Sequence, residues 1–233
     1  MQLLKLETLP CTIIRKLNRF VIEARIGNEK AKVHNTNTGR LEDLIWEGNL
    51  AYCSSKSSGK TKYKLVAAQV RDGGFAVVDT NLQEMAFLKA YEMNLIHWLK
   101  DCSFVRRRPR LGKGFSDFEF SCNGTRTIVE LKSADLKGPF NEAMWPDCPT
   151  ERGKRHLLEL GEFVRKGNRA VVTFIAGFPG ACCFRPYLKG DPEVLDRLLE
   201  SVSMGVEVRV HGMYFDPFTS TIKWYGDLWP YLG

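Results

Sequence analysis

The sequence predicts an α+β protein in two parts, a small Greek-key β-barrel over residues 1–80 and an α/β domain with a mixed central sheet over residues 81–233. Three observations carry that expectation. Short apolar runs broken by Gly, Asn and Asp turns fill the first eighty residues, the pattern turns helical at Asp79, and helices and strands alternate after about residue 100. A chain of 233 residues with 44% hydrophobic and 26% charged content also has enough apolar mass for such cores, which excludes a disordered tail or a fibre.

In the first part, strands are expected at residues 20–26, 29–33, 49–54, 63–71 and 75–78, with Gly27-Asn28 and Asp72-Gly73-Gly74 as turns. Residues 41–46 supply the single helix. Five strands with one helix suit the oligonucleotide-binding OB-fold, whose loops and open face form its binding surface. Between two strands, the flexible loop at 54–60 carries Lys56 and Lys60, with Lys62 just beyond it.

A long helix opens the second part, with Asn81 as cap, Glu84 completing a capping box, and apolar positions at Leu82, Met85, Leu88, Tyr91, Leu95 and Trp98. A strand at 104–107, a hairpin at 117–132, a helix at 154–166, a strand at 170–175, a helix at 191–204 and a strand at 206–210 follow. Asp191 and Pro192 open that last helix, while Gly167 and Gly205 close theirs. The segment 214–233 reads as turns with Trp224 and Trp229, packed back on the core. No sheet is expected to run across residue 80.

Lys and Arg number 34 against 27 Asp and Glu, giving a net charge of +7 and a pI near 9.0. Residues 1–80 hold 13 of the basic and 8 of the acidic side chains, so most of the excess is N-terminal. That balance points to a polyanionic partner, nucleic acid first and an acidic membrane surface second. The longest apolar stretch, residues 171–178, is far too short to span a bilayer, and the charged N-terminus lacks a secretory pattern, so a cytoplasmic protein with no membrane partner is expected. Seven cysteines without regular spacing make a poor disulfide framework and no zinc module, and Cys182-Cys183 reads as a pair of small buried thiols.

The hairpin carries the chemistry. Asn123-Gly124 specifies a two-residue primed turn, which sets Cys122 opposite Thr125, Phe118 opposite Val129 and Asp117 opposite Glu130. Strand alternation then sends Phe118, Phe120, Val129 and Leu131 to the core and gathers Asp117, Glu119, Glu130 and Lys132 on a polar face. Facing carboxylates repel, and a divalent cation such as Mg²⁺ or Mn²⁺ between Asp117 and Glu130 would relieve that. Lys132 would orient a water or stabilise charge on a phosphate. The bland alternative is that Lys132 bridges the two acids on a wet sheet. Arg106 to Arg108 and the Asn37-Thr38-Gly39-Arg40 turn are further phosphate-binding candidates, each with a plain solvated or turn-forming alternative.

Asp117, twelve intervening residues and Glu130-Leu131-Lys132 resemble the PD-(D/E)XK nuclease signature. The wider chain resembles the sugar fermentation stimulation protein A family: Asn18-Arg19-Phe20, His34 with Asn37-Thr38-Gly39-Arg40-Leu41, Lys62-Tyr63, Val78-Asp79-Thr80, Ser116-Asp117-Phe118, Val129-Glu130-Leu131-Lys132-Ser133 and, most specifically, the run from Trp145-Pro146-Asp147 through Thr150, Arg152-Gly153 and His156-Leu157. The resemblance implies an OB-like domain joined to a PD-(D/E)XK-like domain, sequence-tolerant DNA binding with DNA ahead of RNA, and a link to sugar utilisation. By position it makes Asp117, Glu130 and Lys132 the nuclease core, with Asp147, Thr150, Arg152 and His156 as a second motif. Two departures stand out, Gly114-Phe115-Ser116-Asp117 where the family has Ser-Arg-x-Asp, and Arg108 where an acid precedes the Asp by nine positions.

The expected function is a DNA-binding protein with a divalent-metal-dependent phosphodiesterase site, guided by Arg19, Arg40, Lys56, Lys60, Lys62, Arg106 and Arg108. The alternative is a non-catalytic DNA-binding or regulatory protein on the same scaffold. A sugar-processing enzyme is suggested by the family name alone.

Overall fold

Alternation along the N-terminal strands builds a closed barrel in the computed structural model, which describes residues 1–232. A short first strand, β1 (Gln2–Lys5), lies outside it. The barrel strands are β2 (Leu9–Asn18), β3 (Val21–Ile26), β4 (Glu29–His34), β5 (Leu50–Ser55) and β6 (Tyr63–Gln69). Cys11 and Ile13, Ile22 and Ala24, Val33, Ala51 and Cys53, and Leu65 point inward, one set per strand. Antiparallel pairs join β4, β3, β2, β5 and β6 in that order, and a parallel β4–β6 contact closes the ring. This is the OB topology that the strand pattern predicts.

Its membership differs from the expectation. β2 was not legible because register shifts between Ile13 and Arg15 and between Lys16 and Asn18 break the two-residue alternation. Residues 75–78 do not complete the barrel. Their strand β7 (Phe75–Val77), buried throughout, pairs with β6 on one side and, through Phe75 opposite Phe215, with the second domain on the other. The sheet therefore does run across residue 80, contrary to expectation. Residues 41–46 form a single turn in place of a helix, because Leu41 takes a positive φ of 52° and its carbonyl accepts from both Leu44 and Ile45.

The second domain starts with α1 (Thr80–Glu92), which Asp79 caps through bonds from the N–H groups of Asn81 and Leu82, a role assigned above to Asn81. Asn94, at φ 58°, ends the helix earlier than its periodicity suggested, and Leu95 and Trp98 fall in the following coil and 3₁₀ turn. The strands are β8 (Cys102–Arg107), β9 (Arg110–Leu111), β10 (Gly114–Phe115), β11 (Phe118–Cys122), β12 (Thr125–Ser133), β13 (Leu136–Lys137) and β14 (Glu142–Trp145), then β15 (Arg169–Ala176), β16 (Cys183–Pro186), β17 (Glu207–Asp216), β18 (Thr221–Asp227) and β19 (Trp229–Pro230). Helices α2 (Glu151–Arg165) and α3 (Val194–Ser203) lie among them.

The central sheet is mixed, as predicted: β12, β15 and β17 are parallel, flanked by antiparallel β11–β8 and β18–β1. Residues 214–227 are thus a sheet hairpin with Trp224 buried, not turns. Leu82, Ala86, Phe87 and Ala90 of α1 cover one face, packing with Phe118, Phe120 and Val129, and the Phe87 and Phe118 rings stack 5.6 Å apart. Leu157, Leu160 and Leu198 of α2 and α3 cover the other, against Ile128, Val172 and Phe174. Both faces of the hairpin are therefore covered, so its polar face is not wet.

Asp191 does not cap α3. It accepts from the N–H groups of Thr150 and Glu193 and pairs with Lys154, while Glu193 is the helix's first flanking residue. Cysteine use also departs from expectation, since Cys102 and Cys122 stand opposite each other on β8 and β11 and form a disulfide. Twenty residues of separation hide that pair in the sequence; sheet pairing creates it. Cys182 is exposed. No helix among the described residues is long and apolar enough to cross a membrane.

Candidate active site

The predicted register holds. Phe118 lies opposite Val129 and Cys122 opposite Thr125, with Asn123 and Gly124 at φ 51° and 80° in the turn. One residue beyond the paired segment, the Asp117 Oδ2 accepts from the Leu131 N–H at 2.6 Å, which locks the aspartate to the strand carrying Glu130. Both acids line a cleft of about 710 Å³ between barrel and second domain, together with Lys132, Arg19, Asn37, Asp135, Asp147, Thr150 and Arg152.

Glu130, 4% exposed, sits at the cleft floor. Its Oε1 accepts from Lys132 Nζ and His156 Nδ1, each at 2.7 Å, and its Oε2 accepts from Ser116 Oγ at 2.8 Å. Burial works against its charge, but Lys132 and the His156 bond overcome that and hold the carboxyl down at about 2. Asp117 has the opposite fate: loss of water around it, then the charge of Glu130, push it up to about 8, against the Leu131 N–H and Lys132. One acid of the pair is balanced and its neighbour is not.

The residues present fit a hard cation on these grounds. An ionised carboxyl has about four lone-pair positions. The contacts above take three on Glu130 and one on Asp117, so the capacity left for a cation is mostly on the aspartate, which gives up its retained proton to use it. Among the described residues no third His, Cys, Asp or Glu joins them as a ligand cluster.

The second motif divides. His156, on α2, backs Glu130 directly. Thr150 caps α2 through the Gly153 N–H, and Arg152 is exposed on the cleft wall. Asp147 lines the same cleft but makes its bond elsewhere. It accepts from the Leu41 N–H at 2.8 Å and lies so close to the Thr38-Gly39-Arg40 turn that a Cβ at position 39 would stand 2.6 Å from its Oδ2. Glycine is there to let barrel and domain touch.

Asn37 is buried and engaged: its amide donates to Ser133 Oγ and Asp135 Oδ2. Asp135, which the sequence reading missed, also accepts from Ser133 and Gln83, and burial pushes it up to about 7 despite those bonds. Its position five residues beyond Glu130 was the available signal. Arg19 and Arg40 line an adjoining depression of about 550 Å³ with Lys16. Lys56, Lys60 and Lys62 lie on the β5–β6 loop away from the cleft. Arg106 is spent on Glu119, and Arg107 on Glu84. Arg108 lies over the Phe115 ring, 5.9 Å from its centre, so the two departures from the family pattern meet each other.

An OB barrel set against a mixed-sheet domain, with two carboxylates and a lysine at the junction, defines the class. Residues 14–78 match the model of the sugar fermentation stimulation protein N-terminal OB domain, and residues 81–218 match the same protein's RE domain. A sugar fermentation stimulation protein homolog from Pyrococcus furiosus is 40% identical over 208 residues, 89% of each chain, and one from Archaeoglobus fulgidus is 40% identical over 210 residues, 90% of each. A solved structure of Pyrococcus furiosus SfsA in complex with Ca²⁺ is similar with a TM-score of 0.94 and 38% identity, covering 99% of both chains. The chain belongs to the sugar fermentation stimulation protein family.

Proposed function

We propose that this protein is a divalent-cation-dependent phosphodiesterase acting on nucleic acid, DNA ahead of RNA. The observation that carries the reading is the unequal pair Asp117 and Glu130, held by hairpin register at the floor of a cleft whose walls carry Lys132, Arg19 and Arg152. The relative from Pyrococcus furiosus was solved with Ca²⁺, which takes the same hard oxygen ligands as Mg²⁺ or Mn²⁺. Asp117 and Glu130 would hold the ion, which when bound neutralises charge on the attacked phosphate and lowers the pKa of a water. Lys132 stands beside Glu130 to stabilise the negative charge that grows on the phosphate oxygens. His156 fixes the glutamate from behind, and Arg19 and Arg152 hold flanking phosphates.

A second reading, nucleic-acid binding without hydrolysis, draws on the saturation of Glu130 by Lys132, His156 and Ser116, which balances that charge with no ion. Purified protein incubated with plasmid and with single-stranded DNA over a range of Mg²⁺ and Mn²⁺ separates them. Cation-dependent cleavage that disappears in Asp117→Ala supports the enzyme. Cleavage unchanged in that variant, or binding with no cation-dependent melting shift that Glu130→Gln removes, sinks it.

A further inference from the structure

A phenylalanine stands in the wall of this polar cleft with nearly half of its surface open. Phe20 is 48% exposed, at the tip of the β2–β3 turn, and lines the same cleft as Asp117 and Glu130. Its backbone is pinned on both sides. The Phe20 N–H donates to Asn18 Oδ1 at 2.9 Å, its carbonyl accepts from the Asn35 N–H at 2.8 Å, and the fully buried Asn35 amide donates to the Arg19 carbonyl at 3.2 Å. The same amide donates to the Asn37 carbonyl at 2.6 Å, which ties the turn to the residue bridging the domains. An aromatic ring on a turn held this way loses little freedom when something stacks on it.

The charge beside it fits a phosphate chain. Arg19 has no carboxylate partner among the described residues, and it borders both the cleft and the depression that holds Lys16 and Arg40. A ring flanked by cations along a groove is the arrangement that binds single strands, because every base has a face to stack and every linkage a charge. The depth of the site points the same way. Glu130 is 4% exposed at the floor, while a duplex, stiff over about 150 base pairs, keeps its phosphates on a convex surface. A flexible single strand bends into the cleft.

We infer that the cleft takes single-stranded nucleic acid, with a base stacked on Phe20 and the neighbouring phosphates on Arg19 and Arg40, the Lys16 ammonium being held by the Gly39 and Arg40 carbonyls. The inference rests on the nucleic-acid reading above and narrows its substrate class.

Fluorescence anisotropy with labelled (dT)20 and with a 20-base-pair duplex, both in EDTA, tests it on the full chain. The intact protein binds (dT)20 more tightly than the duplex. Phe20→Leu weakens (dT)20 binding on the order of tenfold and leaves duplex binding and the melting temperature unchanged, and Phe20→Trp restores the affinity. Equal affinities for the two probes, or a Phe20→Leu variant with undiminished (dT)20 binding, overturn the single-strand inference while leaving nucleic-acid binding standing. Failure to bind either probe removes both.

Discussion

Two glutamates on the same covered face of one hairpin, Glu119 and Glu130, are almost equally buried, at 6% and 4% exposed. Glu119 lies toward the sheet edge, where Arg106 and Arg126 each reach it at 2.7 Å and together hold it below the usual carboxylate range. Glu130 lies toward the cleft and shares its surroundings with a second acid that its cations do not fully compensate. Burial of a carboxylate therefore says little about function in this protein. A local shortage of positive charge beside an opening is what separates the site from the structural ion pair.

The sharpest way to break that contrast is activity. Asp117→Asn should lower cation-dependent cleavage by two orders of magnitude or more, whereas Glu119→Gln should leave it within a few-fold, as read by nicking of supercoiled plasmid. A similar loss in both variants would place Glu119 in the site.

Stability should split the glutamates next. Glu130→Gln strands the largely buried Lys132 and is expected to cost about 3 kcal/mol in urea denaturation. Glu119→Gln leaves two half-exposed arginines to solvent and should cost about 1 kcal/mol.

A pH scan without metal sharpens the comparison further. Between the ordinary Asp value of 3.8 and about 8, the unfolded chain has released the Asp117 proton and the folded chain retains it, so stability from this group falls as pH rises through that window. Asp135, raised to about 7, adds a slope of the same sign. Glu130, depressed to about 2, contributes stability that is complete above its ordinary 4.5 and lost as pH falls from there toward 2. Asp117→Asn should flatten the fall between pH 5 and 8 and raise the melting temperature at pH 8.5 by a few degrees. Saturating Mg²⁺ should oppose the same fall in the unaltered protein. An identical pH profile in the variant would refute the assignment of the proton to Asp117.

The smallest effect distinguishes two basic regions. Removing Arg19 and Arg40 together should reduce the slope of log affinity against log salt by about 1.4 on a single strand, at roughly 0.7 per phosphate contact. Neutralising Lys56, Lys60 and Lys62, which stand apart from the cleft, should change it by less than one such contact.

Where a local rule was strong, the sequence was readable. Asn123-Gly124 fixed the register and thereby placed Asp117, Glu130 and Lys132 together; Gly167 and Gly205, both at positive φ, marked their helix ends. What escaped depended on partners distant in the chain or on irregular backbone. Bulges hid β2, a left-handed Asn94 shortened α1, and only folding brought Cys102 to Cys122. Asp147 and Asn37 were legible as motif residues, yet their work of clasping barrel to domain became visible only once both were folded.

The β1–β18 pairing, Gln2 opposite Lys223 and Lys5 opposite Thr221, makes the barrel an excursion between two strands of one sheet. On the ribosome β1 must wait for a strand emitted more than two hundred residues later, on the order of ten to forty seconds at ordinary translation rates. The barrel strands find their partners within residues 9–69 and need no such delay. A nascent chain thus carries a finished barrel with β1 still unpaired, and β1 is short, with lysine at its end, which makes it a poor template for a neighbouring chain during that wait.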